Sequence, residues 1–138
     1  MGFRVEVVTT RARVLVADDN QAMLDILTST LADEFDVIRA VSDGGAALAA
    51  ATQRLPDVAI LDISMPVLNG IEVARRLRDA KTNVAVVFFT ACSDLDTFHA
   101  ASETGRFAYV LKLRLCSDLV RAIHLALSGA RLVSTGIG

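Results

Sequence analysis

Asp62 ends the apolar run Val58-Ala59-Ile60-Leu61 and is followed by Ile63-Ser64-Met65-Pro66. Upstream, Val14-Leu15-Val16-Ala17 ends in the pair Asp18-Asp19. Downstream, Val84-Ala85-Val86-Val87-Phe88-Phe89 ends in Thr90, and Phe107-Ala108-Tyr109-Val110-Leu111 ends in Lys112. If these runs are strands of one parallel sheet, they deliver carboxylates, a hydroxyl and an amine to the rim where open α/β sheets bind ligands. Carboxylates crowded on one rim cannot all ionise comfortably unless a cation sits among them. Mg2+ takes hard oxygen ligands and would relieve that repulsion while bridging to a phosphoryl oxygen. Lys112 adds a fixed positive charge, and Thr90 offers a hydroxyl donor. Asp62 is the natural nucleophile, because carboxylates form aspartyl phosphates. Each residue taken singly has a plainer reading. Asp18 or Asp19 can cap the following helix, Thr90 can be an ordinary strand-end residue, and Lys112 a solvated lysine. Tyr109 on its own reads as half-buried, with its hydroxyl at the surface. The joint placement carries the chemistry.

The elements that must position these residues alternate along the chain. Strand one is about Arg13 to Ala17, and helix one follows with Met23, Leu24, Leu27 and Leu31 on one face. Strand two is about Phe35 to Val41. Ser42-Asp43-Gly44-Gly45 reads as a turn before a helix from Ala46 to Gln53. Strand three is about Val58 to Leu61. The third helix shows Ile71, Ala74 and Leu77 inward, with Arg75, Arg76 and Arg78 toward water. Strand four is about Val84 to Phe89. Ser93-Asp94-Leu95-Asp96 resembles a capping box with Ser93 as the cap, opening a helix to about Glu103 that Gly105 ends. Strand five is about Phe107 to Leu111. Ser117 or Asp118 would cap a fifth helix lined by Leu119, Ile123 and Leu127 and stopped at Gly129. Five βα units predict an α/β fold with a doubly wound parallel sheet. Residues 1–12 stand outside the repeat as an N-terminal extension, in which Phe3 to Val8 reads as a short strand or an arm. Residues 130–138 read as a C-terminal tail.

The bulk composition narrows the function. A chain of 138 residues is the usual size of one domain. Its 53% hydrophobic content and mean hydropathy of +0.48 suit strands covered on both faces. No apolar stretch reaches the length of a membrane span. Arg4 and Glu6 precede any apolar block, which argues against a signal peptide, and Glu6 stands where a myristoylation motif needs Ser or Thr. The net charge of −2, with no long Lys/Arg cluster, disfavours direct nucleic-acid binding. Cys92 and Cys116 form neither a disulfide framework nor a zinc site and read as reduced cytoplasmic thiols, with redox sensing as the rival. His99 and His124 read as outer-face histidines.

The stretches Val-Leu-Val-Ala-Asp18-Asp19-Asn, Leu-Asp62-Ile-Ser-Met-Pro-Val-Leu-Asn-Gly70, Phe-Phe-Thr90-Ala91 and Tyr109-Val-Leu-Lys112 together resemble the receiver domain of bacterial two-component response regulators. The resemblance runs from about Arg13 to Gly129, and Asp-x-x-Met-Pro-x-x-x-Gly around Asp62 is its most specific motif. It implies a flavodoxin-like (βα)5 fold. It implies that Asp62 accepts a phosphoryl group from a sensor histidine kinase. Asp19, Asp62 and the Ser64 carbonyl would bind Mg2+, with Asp18 assisting through water. Lys112 would contact the phosphoryl group, and Thr90 and Tyr109 would form a switch pair that reshapes the face made by the fourth helix, fifth strand and fifth helix. That face is the expected site of homodimerisation or partner docking. The segment from Gly105 to Gly129 is most similar to the NarL/FixJ-type branch, whose members carry a DNA-binding output domain; the expectation here is a receiver with none. The expected catalysis is limited to the chain's own aspartyl phosphorylation and dephosphorylation. One departure is Leu113, where most receivers have a proline after the lysine. A haloacid-dehalogenase-type enzyme is disfavoured because Ser64 stands where that family needs a second Asp. A phosphorylation-independent binding module with the same fold remains the alternative.

Overall fold

Apolar strands bounded by side-chain caps set the architecture. The computed structural model describes residues 11–129 except Cys92, Ser93 and Arg106, and of Leu115 and Cys116 the backbone alone. Within these residues the order is β1 (Arg13–Ala17), α1 (Gln21–Leu31), β2 (Asp36–Val41), α2 (Gly44–Arg54), β3 (Val58–Asp62), α3 (Gly70–Asp79), β4 (Ala85–Thr90), α4 (Leu95–Ser102), β5 (Phe107–Leu111), a 3-10 turn (Lys112–Arg114) and α5 (Leu115–Ser128). The sheet has five parallel strands in the order β2-β1-β3-β4-β5. The expected doubly wound α/β architecture is what forms.

Alternation along each strand divides the core into two layers. Val14, Val16, Ile60, Val87, Phe89 and Val110 face Leu24, Leu27 and Leu31 of α1 and Leu119, Ile123 and Ala126 of α5. Leu15, Leu61, Phe88 and Tyr109 face Ala47 and Ala51 of α2, Ile71, Ala74 and Leu77 of α3, and Ala101 of α4. Leu27 is fully buried, so truncation to Ala would cost about 2–5 kcal/mol. The chain leaves β1 toward β2 and returns past it to β3, which makes the gap between β1 and β3 the topological switch point. Among the described residues no helix is long and apolar enough to cross a membrane.

Several boundaries differ from the sequence expectations, each for a local reason. Neither Asp18 nor Asp19 caps α1: Asn20 does, its side chain accepting from Met23 N at 3.1 Å. Gly44 and Gly45 are the first residues of α2 rather than a turn, because Asp43 caps Ala46 N at 2.7 Å. The α4 cap is Asp94, accepting from Asp96 N at 3.2 Å, and Ser93 lies outside the described residues. Helix α5 starts at Leu115, so Ser117 and Asp118 are inside it; Asp118 is held by Arg114 Nε at 3.0 Å. The 3-10 turn from Lys112 winds directly into α5, leaving those two residues no free N-terminus to cap. The expectations for residues 1–10, the tail from Ala130, Cys92 and the Cys116 thiol also fall outside the described residues. His99 and His124 are exposed, as expected.

Candidate functional site

Four parallel strands in register bring their last residues to one rim. Ala17 pairs with Leu61, Asp62 with Phe89, and Thr90 with Leu111. Asp18 therefore follows β1 beside the end of β3, and Lys112 follows β5 across β4. Asp18 is fully buried, Asp62 is 4% exposed, Thr90 is buried, and Asp19 is open to solvent. Carboxylate oxygens of Asp18, Asp19 and Asp62 all lie within 4.8 Å of one another.

Lys112 is the positive member of this group. Its Nζ lies 2.9 Å from Asp18 Oδ2 and 3.2 Å from Asp62 Oδ2, and 5.5 Å from the centre of the Phe89 ring. The ring face adds a modest cation–π attraction. One lysine does not satisfy the two buried carboxylates beside it. Asp18 Oδ1 accepts from Asn20 N at 2.9 Å, but Asp18 Oδ2, although close to Lys112, lies outside hydrogen-bonding geometry. Asp62 Oδ1 has only a long contact with Ser64 N at 3.3 Å. Burial, and then the negative charge of Asp18, push the Asp62 carboxyl above the ordinary carboxylate range against the pull of Lys112. Burial alone would lower Lys112, yet its close contact with Asp18 and the negative charges of Asp62 and Asp18 leave it above the usual lysine value.

Those under-satisfied oxygens are what a hard divalent cation requires. The donor set fits Mg2+: carboxylate oxygens of Asp18, Asp19 and Asp62, all hard, with the solvent-exposed segment at Ser64 beside them. The site would keep room for water ligands, since Asp19 and Ser64 face solvent. Lys112 sits close enough to Asp62 to neutralise further charge placed on that carboxylate.

The proposed switch residues lie on one side of the sheet. Thr90 is two residues beyond Phe88 and so shares its face with Tyr109, the register partner of Phe88. Tyr109 is fully buried rather than half-buried. Its ring meets Phe98 edge-on at 5.3 Å and Phe88 at 6.4 Å, and these aromatic contacts make an inward pose favourable where an isolated tyrosine reads as a surface residue. Asp18, Asp19, Asp62, Ser64, Thr90 and Lys112 thus reach one rim, and Tyr109 the adjoining face. Sequence reasoning missed Asn20, whose amide holds Asp18, and Phe89, which backs Lys112. It also missed the reason for Gly70: a Cβ there would lie 2.4 Å from Asp62 O, so only glycine lets α3 start against the end of β3. The Asn20 cap was open to discovery, because Asn before an apolar helical pattern is a start signal.

Comparison with known proteins agrees with this geometry. The family model of the response regulator receiver domain matches residues 14–124. The DNA-binding response regulator MtrA of Mycolicibacterium smegmatis is 35% identical over 116 residues, covering 84% of this chain and 50% of the relative. The transcriptional regulatory protein PrrA of Mycobacterium tuberculosis is 39% identical over 115 residues, covering 83% and 49%. The chain therefore spans about half the length of the curated relatives it matches. Among solved structures, the signal receiver domain of NarL from Mycobacterium tuberculosis is 27% identical with a TM-score of 0.81, covering 88% of this chain and 99% of that one. A LuxR-family two-component response regulator from Aurantimonas is 26% identical with a TM-score of 0.85, covering 93% of each chain.

Proposed function

The chain belongs to the response regulator receiver domain family, and on that premise we propose that Asp62 is its phosphoacceptor, taking a phosphoryl group from a sensor histidine kinase. The observation that carries the assignment is the pairing of Asp62 with Lys112 at 3.2 Å inside the Asp18-Asp19-Asp62 cluster. A nucleophilic carboxylate must be ionised, and it must face a positive charge where negative charge builds up. In the transfer, an Asp62 oxygen bonds to phosphorus as the phosphorus–nitrogen bond of the donor phosphohistidine breaks, and the imidazole leaves and is protonated. Lys112 neutralises the growing charge on the phosphoryl oxygens. Asp18, Asp19, Asp62 and the Ser64 carbonyl would hold Mg2+, which when bound supplies charge neutralisation and orientation of the phosphoryl oxygens.

The acyl phosphate carries about two negative charges where the ionised Asp62 carboxylate carried one, a net gain of about one charge. Thr90, at the end of the neighbouring strand, then donates its hydroxyl to the new oxygens, and the space around Tyr109 changes with it. Tyr109 already points inward against Phe98 and Phe88 before any phosphoryl group is added, so the coupling that links the rim to α4, β5 and α5 is the locking of that inward pose rather than a rotation into it. That face exposes Leu113 at 95% and Leu95 at 47%, which supports its use for homodimerisation or for docking an output element. A receiver of this kind catalyses only its own phosphorylation and dephosphorylation. The test is intact mass after incubation with acetyl phosphate, with and without Mg2+. A single phosphoryl adduct that depends on Mg2+ is expected; absence of any adduct on the folded protein overturns the assignment.

A further inference from the structure

The loop between β3 and α3 carries Ser64, and its shape is imposed from outside. Val67 has φ +72°, a left-handed conformation unusual for a β-branched residue. Leu68 N donates to Pro66 O at 2.9 Å across it. A bond spanning two residues around a positive-φ centre is a strained γ-turn. The Val67 side chain is 77% exposed, so packing of that side chain does not explain the strain. Helix α2 does. Gly44 N donates to the same Pro66 carbonyl at 3.1 Å. A Cβ on Gly44 would lie 1.8 Å from Leu68 O and 2.6 Å from Leu68 C, both backbone atoms. The helix itself is fixed, with Asp43 capping its start and Ala47 and Ala51 fully buried. The far end of the loop is tied down by Gly70 N donating to Ile63 O at 2.9 Å.

Strained backbone persists only where its surroundings over-determine it, and it concentrates at functional sites. Here the over-determined turn begins two residues after Ser64. We propose that Gly44 is a positioning residue for phosphoryl transfer: it holds the β3–α3 loop in the turn at Val67 and so sets the Ser64 carbonyl beside Asp62. This rests on the reading of Asp62 as phosphoacceptor. The neighbouring glycine provides a matched control. A Cβ on Gly45 would meet Val67 Cγ1 at 3.1 Å, and an exposed side chain can rotate away where a backbone carbonyl cannot.

The experiment compares wild type, Gly44→Ala, Gly45→Ala and Val67→Gly in the full chain. It reads the rate of mass gain from acetyl phosphate at saturating Mg2+, the Mg2+ midpoint followed at the Ser64 amide by NMR, and the thermal midpoint. Gly44→Ala is expected to slow phosphorylation by about tenfold to a hundredfold, as small misplacements at a reacting centre do, and to raise the Mg2+ midpoint. Gly45→Ala is expected to match wild type in both. Val67→Gly relieves the backbone strain while leaving the Gly44 contacts in place, so it should raise the thermal midpoint and keep the rate and Mg2+ midpoint near wild type, which separates positioning by Gly44 from the strain itself. Equal rates and Mg2+ midpoints for Gly44→Ala and Gly45→Ala would overturn the proposal. If Gly44→Ala fails to fold, the double variant Gly44→Ala with Val67→Gly, whose turn can shift away from the added methyl, is read against Val67→Gly, and equal rates and Mg2+ midpoints for that pair overturn the proposal. A wild type that takes no phosphoryl group rejects the phosphoacceptor reading instead, and the Ser64 amide and Mg2+ midpoint still decide the positioning claim.

Discussion

The two ends of the sheet use the same residue types to opposite effect. At the N-terminal rim, Arg13 N donates to Asp57 Oδ2 at 2.7 Å, and Arg13 Nη1 reaches the carbonyls of Arg54 and Leu55 at 2.9 and 3.2 Å. Asp57 N returns a bond to Arg13 O at 2.9 Å. Asp57 is exposed, and its carboxylate has a donor. At the C-terminal rim, Asp18 and Asp62 are buried, share one lysine, and leave oxygens poorly bonded. The first arrangement fastens strands together; the second is held in electrostatic conflict that a cation or a phosphoryl group would change. Charged residues at strand ends are therefore uninformative by type, and burial with incomplete pairing separates a site from a fastening.

Breaking the conflict at its centre should have the largest effect. Asp62→Asn is expected to abolish Mg2+-dependent phosphoryl uptake by intact mass. The same change should stabilise the Mg2+-free protein at neutral pH by on the order of 1 kcal/mol in urea unfolding, because it removes a buried carboxylate held above its ordinary pKa. Removing the cation should act in the other direction. Lys112→Ala leaves two buried carboxylates facing each other, and it is expected to destabilise the Mg2+-free protein by about 1–3 kcal/mol and to slow uptake. Added Mg2+ should recover part of that stability.

The opposite rim sharpens the contrast. Asp57→Ala removes the acceptor of the Arg13 amide and should cost about 1 kcal/mol, with no change in phosphorylation rate. A loss of uptake there would show that the two ends are coupled. The smallest effect is in pH dependence. The Asp62 carboxyl is raised in the folded state, so the native protein binds that proton more tightly than the unfolded chain. Its contribution to stability therefore grows as pH falls from neutral through the raised value, and is lost as pH rises. Uptake should fall over the same window, at higher pH than for an ordinary carboxylate, because the nucleophile is neutralised. Lys112 is raised as well, so its contribution is present below the usual lysine value and is lost as pH rises through the higher folded value. Urea midpoints across acidic pH, with Asp62→Asn as the stability reference, and wild-type uptake rates over the same range check the Asp62 sign, and urea midpoints at alkaline pH against Lys112→Ala check the Lys112 sign.

The sequence was informative where one physical signal dominates. Continuous apolar runs ending in polar or charged residues located β1, β3, β4 and β5 to within a residue or two, because strands covered on both faces have little other composition open to them, while the edge strand β2, with Asp36 and Arg39, carried a weaker signal. The rim residues followed from those strand ends. Helix starts were less legible, since several polar residues compete for each cap: Asn20 prevailed over Asp18 and Asp19, and Asp43 drew Gly44 and Gly45 into α2. The inward pose of Tyr109 depends on Phe98, which comes from another element and is brought near only by the fold. The contact of Gly44 with Leu68 is likewise a meeting of segments remote in sequence. Local pattern does not encode such meetings.

The most direct test of the central claim is to locate the phosphoryl group chemically. The protein is phosphorylated with acetyl phosphate and Mg2+, the acyl phosphate is reduced with borohydride to homoserine, and the modified position is read by peptide mass spectrometry. The account predicts homoserine at position 62 alone, and none when Mg2+ is withheld. Modification at Asp18 or Asp19, or at a residue away from this rim, would contradict it.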